Sequence, residues 1–76
     1  MMFEAIVARP VKRWMGLKPV ACDLCHHPLK TQFVDGSTKM GPWAIMCMTC
    51  HGSMGRGLGL GRGQLYNLET LEKVSG

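Results

Sequence analysis

Long apolar runs and acidic side chains are both scarce in this chain of 76 residues. No stretch approaches the roughly 20 apolar residues that a membrane-spanning helix needs. The first 20 residues also lack the apolar segment of a secretory signal, because five charged residues interrupt them. These absences predict a cytoplasmic protein with no membrane partner, whose cysteines stay reduced.

A recognisable catalytic set is missing as well. The five Asp and Glu residues are scattered, and no serine, histidine and acidic residue form a known local motif. A redox-active Cys-x-x-Cys pair would require a thioredoxin-like βαβ context, which the sequence does not indicate. We therefore expect a protein that is not an enzyme.

The length predicts one domain with a small core. Chains of this size often depend on disulfides, a metal ion or a partner subunit for their stability. All four cysteines lie in two pairs, Cys22-x-x-Cys25 and Cys47-x-x-Cys50, which 21 residues separate. In reduced surroundings this spacing is typical of a site where four thiolates surround one tetrahedral ion. We predict one structural Zn²⁺ with Cys22, Cys25, Cys47 and Cys50 as its ligands.

A histidine follows each cysteine pair, and this leaves a second interpretation open. Cys-x-x-Cys-His is the attachment signature of c-type haem, and seven methionines offer axial ligands. Such attachment usually follows export, and two haems need more chain than this one provides, so an electron-transfer haem protein is the lesser alternative. In the zinc interpretation His26, His27 and His51 lie beside the site or on the surface. Histidine tolerates the left-handed backbone conformation that often follows such a pair.

The segment between the cysteine pairs predicts a β-hairpin. Residues 29–34 indicate one strand, residues 35–38 a turn, and residues 43–48 a second strand with Trp43 and Ile45 on one face. We therefore predict a small α+β zinc ribbon, in which two zinc knuckles lie on a β-hairpin.

We expect one domain over residues 1–76, with the ribbon core at about residues 20–52. A glycine-rich segment over residues 52–63 follows, and we expect it to pack on the ribbon. Leucines at positions 65, 68 and 71 predict an amphipathic C-terminal helix over about residues 64–74. The same leucines offer an interface for an oligomer.

The middle of the chain is basic. Eight Lys and Arg residues lie between Arg9 and Arg62, against only Asp23 and Asp35, and the formal charge of the whole chain is +4. A bound Zn²⁺ with four thiolates would leave about +2. Such an excess suits DNA or RNA as a partner, and equally a solvated surface. The candidate contact residues are Lys12, Arg13, Trp14, Arg56 and Arg62.

Three further motifs accompany the cysteine pairs: Phe33-Val-Asp-Gly36, Met40-Gly-Pro-Trp43 and Gly57-Leu-Gly-Leu-Gly-Arg-Gly-Gln64-x-Tyr66. With them, residues 20–67 are similar to small zinc-ribbon proteins encoded by bacteriophages and prophages. The resemblance implies a location in the host cytoplasm. Two functions then stand side by side: a nucleic-acid-binding module, or a protein-interaction module that docks on a host or virion protein and can inhibit it.

The order Cys-x-x-Cys…Cys-x-x-Cys-His is also similar to HNH nucleases with treble-clef zinc sites. Their pattern requires a helix and a further histidine after the second pair. Glycines follow here instead, so we expect no nuclease activity.

Overall fold

A computed structural model describes residues 12–76, and the first 11 residues of the predicted domain lie outside the described part. The described chain forms a four-stranded antiparallel sheet with one short helix, which confirms the small α+β class. The elements are β1 (Gln32–Ser37), β2 (Trp43–Met46), α1 (Met48–Met54), β3 (Gly63–Asn67) and β4 (Lys73–Ser75). The strand order is β2-β1-β3-β4. Within residues 12–76, no helix is long and apolar enough to cross a membrane.

The central strand β1 carries both halves of the core. Phe33 packs on one face of the sheet with Tyr66, and Val34 packs on the other face with Met46 and Leu65. Neither Phe33 nor Val34 has any exposed surface. Successive side chains of a strand point to opposite faces, so two adjacent residues can anchor two apolar clusters.

The hairpin predicted from the sequence exists, but its turn lies later than the predicted residues 35–38. The turn is closed at Thr38, whose N–H and hydroxyl group both donate to the carbonyl oxygen of Pro42, at 3.0 and 2.9 Å. Gly36 lies in β1 opposite Gly63 of β3. A Cβ at Gly36 would lie 3.0 Å from the Cα of Gly63, so this glycine permits a close approach of two strands.

The predicted C-terminal helix over residues 64–74 is wrong, because this segment forms β3, a turn and β4. β3 pairs with β1 on one side and with β4 on the other. Its neighbouring residues Leu65 and Tyr66 are both buried, on opposite faces of the sheet. This pairing overrides the helical spacing of the leucines. Leu65 and Leu68, predicted as an oligomer interface, are buried in the core.

The sequence contains a local signal for the turn after β3, although the leucine spacing predicted a helix there. The side-chain oxygen of Asn67 accepts hydrogen bonds from the N–H groups of Glu69 and Thr70, at 2.8 and 2.9 Å. Asparagine closes turns of this kind readily, because its side chain imitates a backbone carbonyl. Leu71 then adopts a left-handed conformation, with φ 63°, and the chain returns as β4.

The glycine-rich segment lies against the sheet, as the sequence predicts. Leu58 packs on the cluster around Val34, and the carbonyl oxygen of Arg62 accepts the N–H of Ser37 at 2.8 Å. A Cβ at Gly63 would lie only 2.7 Å from the carbonyl oxygen of Gly57. The absence of side chains therefore lets this segment fold back on the strand that follows it.

Both edges of the sheet are covered by chain outside the strands. Lys73 of β4 donates its N–H to the carbonyl oxygen of Lys12 at 2.7 Å. At the other edge, Asp23 bonds β2 twice: its N–H donates to the Ile45 carbonyl, and its carboxylate accepts the Ile45 N–H, both at 2.8 Å. Asp23 lies inside the first cysteine pair, so these bonds fix that pair beside β2.

Candidate metal centre

The first cysteine pair lies in a tight turn between two short segments that pair at Ala21 and Pro28. The N–H of His26 donates to the carbonyl oxygen of Cys22 at 2.9 Å, and the Cys22 N–H donates to His27 at 3.0 Å. His26 has a φ of 65°, which confirms the left-handed conformation expected after the pair. Such a turn brings both sulfur atoms to one side.

The second pair lies at the start of α1 and not in a second knuckle on the hairpin. Cys47 is the N-cap, and its sulfur accepts the backbone N–H of Cys50 at 3.4 Å. A Ser, Thr, Asp or Asn side chain usually supplies this acceptor, and here a sulfur replaces it. Residues three apart on a helix share a face, so the two sulfur atoms lie together.

The four sulfur atoms of Cys22, Cys25, Cys47 and Cys50, called here the cysteine cluster, lie within 4.8 Å of one another. Cys25 Sγ and Cys47 Sγ, from different pairs, are 3.8 Å apart. Cys22 is only 1% exposed, and its sulfur accepts the N–H of Leu24 at 3.4 Å. The cluster can therefore hold one metal ion.

Burial and hydrogen bonding act in opposite directions on these thiols. At Cys22, burial raises the pKa, but backbone N–H groups, chiefly those of Cys25 and Cys47, outweigh it and lower the pKa to about 6. At Cys50, burial and hydrogen bonds with the neighbouring thiols raise the pKa to about 12. Without a metal, Cys50 therefore retains a thiol proton at neutral pH that a bound cation would displace.

The convergence of the two pairs bears on the haem alternative. Two c-type haems would need each Cys-x-x-Cys-His motif to serve its own ring, whereas here both pairs face one point. His51 is also engaged elsewhere: its Nε2 lies 3.1 Å from the carbonyl oxygen of Gly57. The geometry therefore favours one four-sulfur site over two haem sites.

His51 joins α1 to the glycine-rich segment, a role that the sequence did not reveal. Its ring packs against Gly55, where an added Cβ would overlap the ring, and its Nε2 reaches Gly57. The signal was present as spacing, because Gly55 is four residues after His51 and so lies above it on the helix.

The predicted contact residues do not come together. Trp14 packs edge-on against the core rings of Phe33 and Tyr66, with centroids 5.5 and 5.6 Å away. Arg13 forms an ion pair with Glu72 at 3.0 Å. Both residues lie beside β4, and Lys12 precedes them there. Nucleic-acid contact by these three residues stays a prediction.

Arg56 and Arg62 lie at the opposite end of the sheet, together with Lys39, which is not among the predicted contact residues. The N–H of Lys39 donates to the carbonyl oxygen of Met54 at 2.8 Å, and Thr38 pairs with Gly55. The carbonyl oxygen of Arg62 accepts the N–H of Ser37, the last residue of β1. We call the three cations Lys39, Arg56 and Arg62 the basic end. The hairpin turn brings Lys39 close to Met54 and Gly55, although these residues are far apart in the sequence.

A second group of ionisable residues lies on the Phe33 face of the sheet. Burial, and secondarily the negative charge of Asp23, raises the pKa of the Asp35 carboxyl. Burial, and secondarily Asp35, raises the pKa of Tyr66, whose hydroxyl donates to the side-chain oxygen of Gln64 at 3.3 Å. The negative charge of the Asp35 carboxylate is therefore unfavourable in the folded state.

No protein-family model matches this chain, and no curated protein or solved structure is significantly similar to it. A helix is present at the second cysteine pair, because α1 begins at Met48 and includes Cys50. The further histidine that the HNH pattern requires is not, since no histidine follows His51 in the sequence.

Proposed function

We propose that this protein is a non-enzymatic zinc module that binds nucleic acid through its basic end. Zinc suits the cysteine cluster, because four sulfur atoms at 2.3 Å from a tetrahedral Zn²⁺ lie about 3.8 Å apart. The separation of 3.8 Å between Cys25 Sγ and Cys47 Sγ has this value. With four protein ligands the ion has no open position for a substrate, so its role is structural.

The observation that carries nucleic-acid binding is the composition of the basic end. Its three cations come from two segments of the chain: Lys39 from the hairpin turn, and Arg56 and Arg62 from the glycine-rich connection between α1 and β3. Within residues 12–76 none of them is ion-paired, since the one ion pair there joins Arg13 and Glu72. Unpaired cations collected at one end favour an anionic partner, and phosphate backbones bind such cations strongly.

A salt series tests this function. Fluorescence anisotropy of labelled oligonucleotides with the zinc-loaded protein should show affinity that falls steeply with salt. Three phosphate contacts predict a slope of log K against log salt of about −2 to −3. Arg62→Glu should reduce both the affinity and the slope, whereas the matched control Lys18→Glu, away from the basic end, should change both less. Undetectable binding at low salt would contradict the proposal.

One observation favours a second candidate, a protein-interaction module. Met15 and Leu17 are 92% and 93% exposed, on a loop that Trp14 holds by donating its Nε1–H to the Leu17 carbonyl oxygen at 2.8 Å. Exposed apolar side chains held in place often mark a protein contact. A pull-down in which Leu17→Ser loses a partner that the wild-type chain retains would support this candidate.

The bacteriophage context and the cytoplasmic location stay predictions from the sequence. The assignment of the fold as a zinc ribbon also stays a prediction, because the second cysteine pair lies at the start of a helix. A host or virion protein as partner belongs to the second candidate.

A further inference from the structure

Trp43 lies beside the basic end. It is the first residue of β2 and pairs with Ser37 of β1, whose N–H donates to the carbonyl oxygen of Arg62. Trp43 and Arg62 therefore lie on either side of Ser37. Their backbones are two strand spacings, or about 10 Å, apart across the sheet. The guanidinium of Arg62 packs over Gly59, where an added Cβ would lie 2.8 Å from its Nη2. A ligand that spans the distance between the two residues can contact both.

The tryptophan is not needed for the apolar core. Trp43 is 48% exposed and belongs to neither of the two core clusters, in contrast to Trp14. Exposed apolar side chains that lie near one another can mark a binding site. Its neighbour in the same hairpin turn, Met40, is 78% exposed.

An aromatic surface flanked by cations is the arrangement with which proteins bind single-stranded nucleic acid. Unpaired bases stack on the ring, and the phosphates on either side bind the cations. In a duplex the base faces are already stacked on each other, so a protein ring reaches them only if a base step is first unstacked. The ring of Trp43 can therefore stack on the bases of a single strand more readily than on those of a duplex.

The helix gives no support for reading a duplex. α1 has seven residues, and its exposed residues Met48, Thr49, Gly52 and Ser53 carry no charge. A helix that enters the major groove normally presents basic or amide side chains to the bases and phosphates. The basic end instead consists of turns, which suit a flexible strand.

We infer that the basic end binds a single-stranded nucleic acid, with Trp43 as the stacking surface and Lys39, Arg56 and Arg62 as the phosphate contacts. This inference rests on the proposed function. It adds the class of ligand, and it replaces Trp14 by Trp43 as the residue that meets a base.

The test compares three labelled probes of equal length with the zinc-loaded full chain: oligothymidylate, oligouridylate and a mixed-sequence duplex. Anisotropy is measured between about 50 and 200 mM salt. We expect tighter binding of the single strands than of the duplex, together with quenching of tryptophan fluorescence. The two single strands distinguish DNA from RNA.

Substitution of Trp43 separates stacking from charge. Trp43→Ala should weaken single-strand binding roughly 5- to 150-fold without changing the salt slope, because a base contact is lost and no phosphate contact is. Trp43→Phe should retain most of the affinity and lose the part of the quenching that comes from residue 43. Unchanged zinc content and unfolding midpoint show that both variants remain folded.

Equal affinity for duplex and single strands, with no effect of Trp43→Ala, would overturn this inference while the nucleic-acid function survived. Loss of binding to all three probes would overturn the proposed function itself. A change of salt slope in Trp43→Ala would also count against the inference, because stacking alone does not release counterions.

Discussion

Asp35 lies in the central strand with its carboxyl in an environment that disfavours ionisation. Burial, with a smaller effect of Asp23, raises its pKa above the ordinary value of 3.8. The folded chain therefore holds this proton more tightly than the unfolded chain does. The stability that Asp35 contributes is full below its ordinary pKa and is lost as the pH rises through the raised value.

Asp35→Asn should therefore increase the free energy of unfolding at neutral pH. The gain should shrink as the pH falls towards the folded pKa, because the wild-type carboxyl then becomes neutral as well. Urea unfolding of the zinc-loaded protein at neutral pH and at pH about 5 measures both effects. A matched control, Glu69→Gln, removes one exposed carboxylate in a turn. Equal stabilisation by the two variants would show that net charge, and not the site of Asp35, is responsible.

Residue identities at the site could be predicted where the signal is local. The cysteine cluster was predicted from two short motifs. The left-handed conformation of His26 was predicted from its place directly after the first motif. The position of Lys39 beside Arg56 depends on a hydrogen bond with Met54, and no spacing in the sequence reports that contact. The cysteine cluster was therefore predictable from the sequence, while the basic end was not.

Two glycines differ sharply in what surrounds them, although both lie inside regular elements. At Gly36 in β1, an added Cβ would lie 2.8 Å from the carbonyl oxygen of Arg62, whereas at Gly52 in α1 it would meet nothing within 4 Å. The first contact is with backbone and cannot relax easily. Glycine in a helix interior also costs conformational entropy that alanine does not.

Gly36→Ala should destabilise the protein by about 1–3 kcal/mol, the usual range for an overpacked core. Gly52→Ala should stabilise it by about 0.5–1 kcal/mol, through the better helix propensity of alanine. Thermal unfolding of the zinc-loaded variants provides the measurement. If the two substitutions had effects of the same sign, the register that places Gly36 against the chain before β3 would be incorrect.

The elements differ in how well the sequence predicted them. β2 matches the first four residues of the strand predicted over residues 43–48, whereas Met48 begins α1. The segment after residue 63 has helical leucine spacing, yet it forms strands because β1 and β4 offer hydrogen bonds on both of its sides. Pairing partners far along the chain decided that segment, and local periodicity could not show them.

The cysteine cluster links parts of the described chain that are far apart in the sequence. The cluster joins the turn before β1 to the helix after β2, and Cys22 and Cys50 both contact the apolar core. Within residues 12–76 only eight apolar residues are buried, so the core contributes little stability alone. A structural zinc contributes about 10–16 kcal/mol of apparent binding free energy, as much as the whole stability of a small domain.

Removal of the metal should therefore unfold the chain. Addition of a strong chelator to the purified protein should collapse the dispersion of its amide NMR signals, and excess zinc should restore it. Cys25→Ser should show poor dispersion with or without chelator. A chain that kept its dispersed spectrum after complete metal removal would show that the sheet is stable without the cluster.

The central claim is that four cysteines hold one zinc ion, and a native mass spectrum of the reduced, purified chain tests it most directly. We expect one species with the mass of the chain plus a single zinc, which reverts to the bare chain mass after acid denaturation. Two covalently retained haems, a pair of disulfides or a folded chain with no metal would each contradict it.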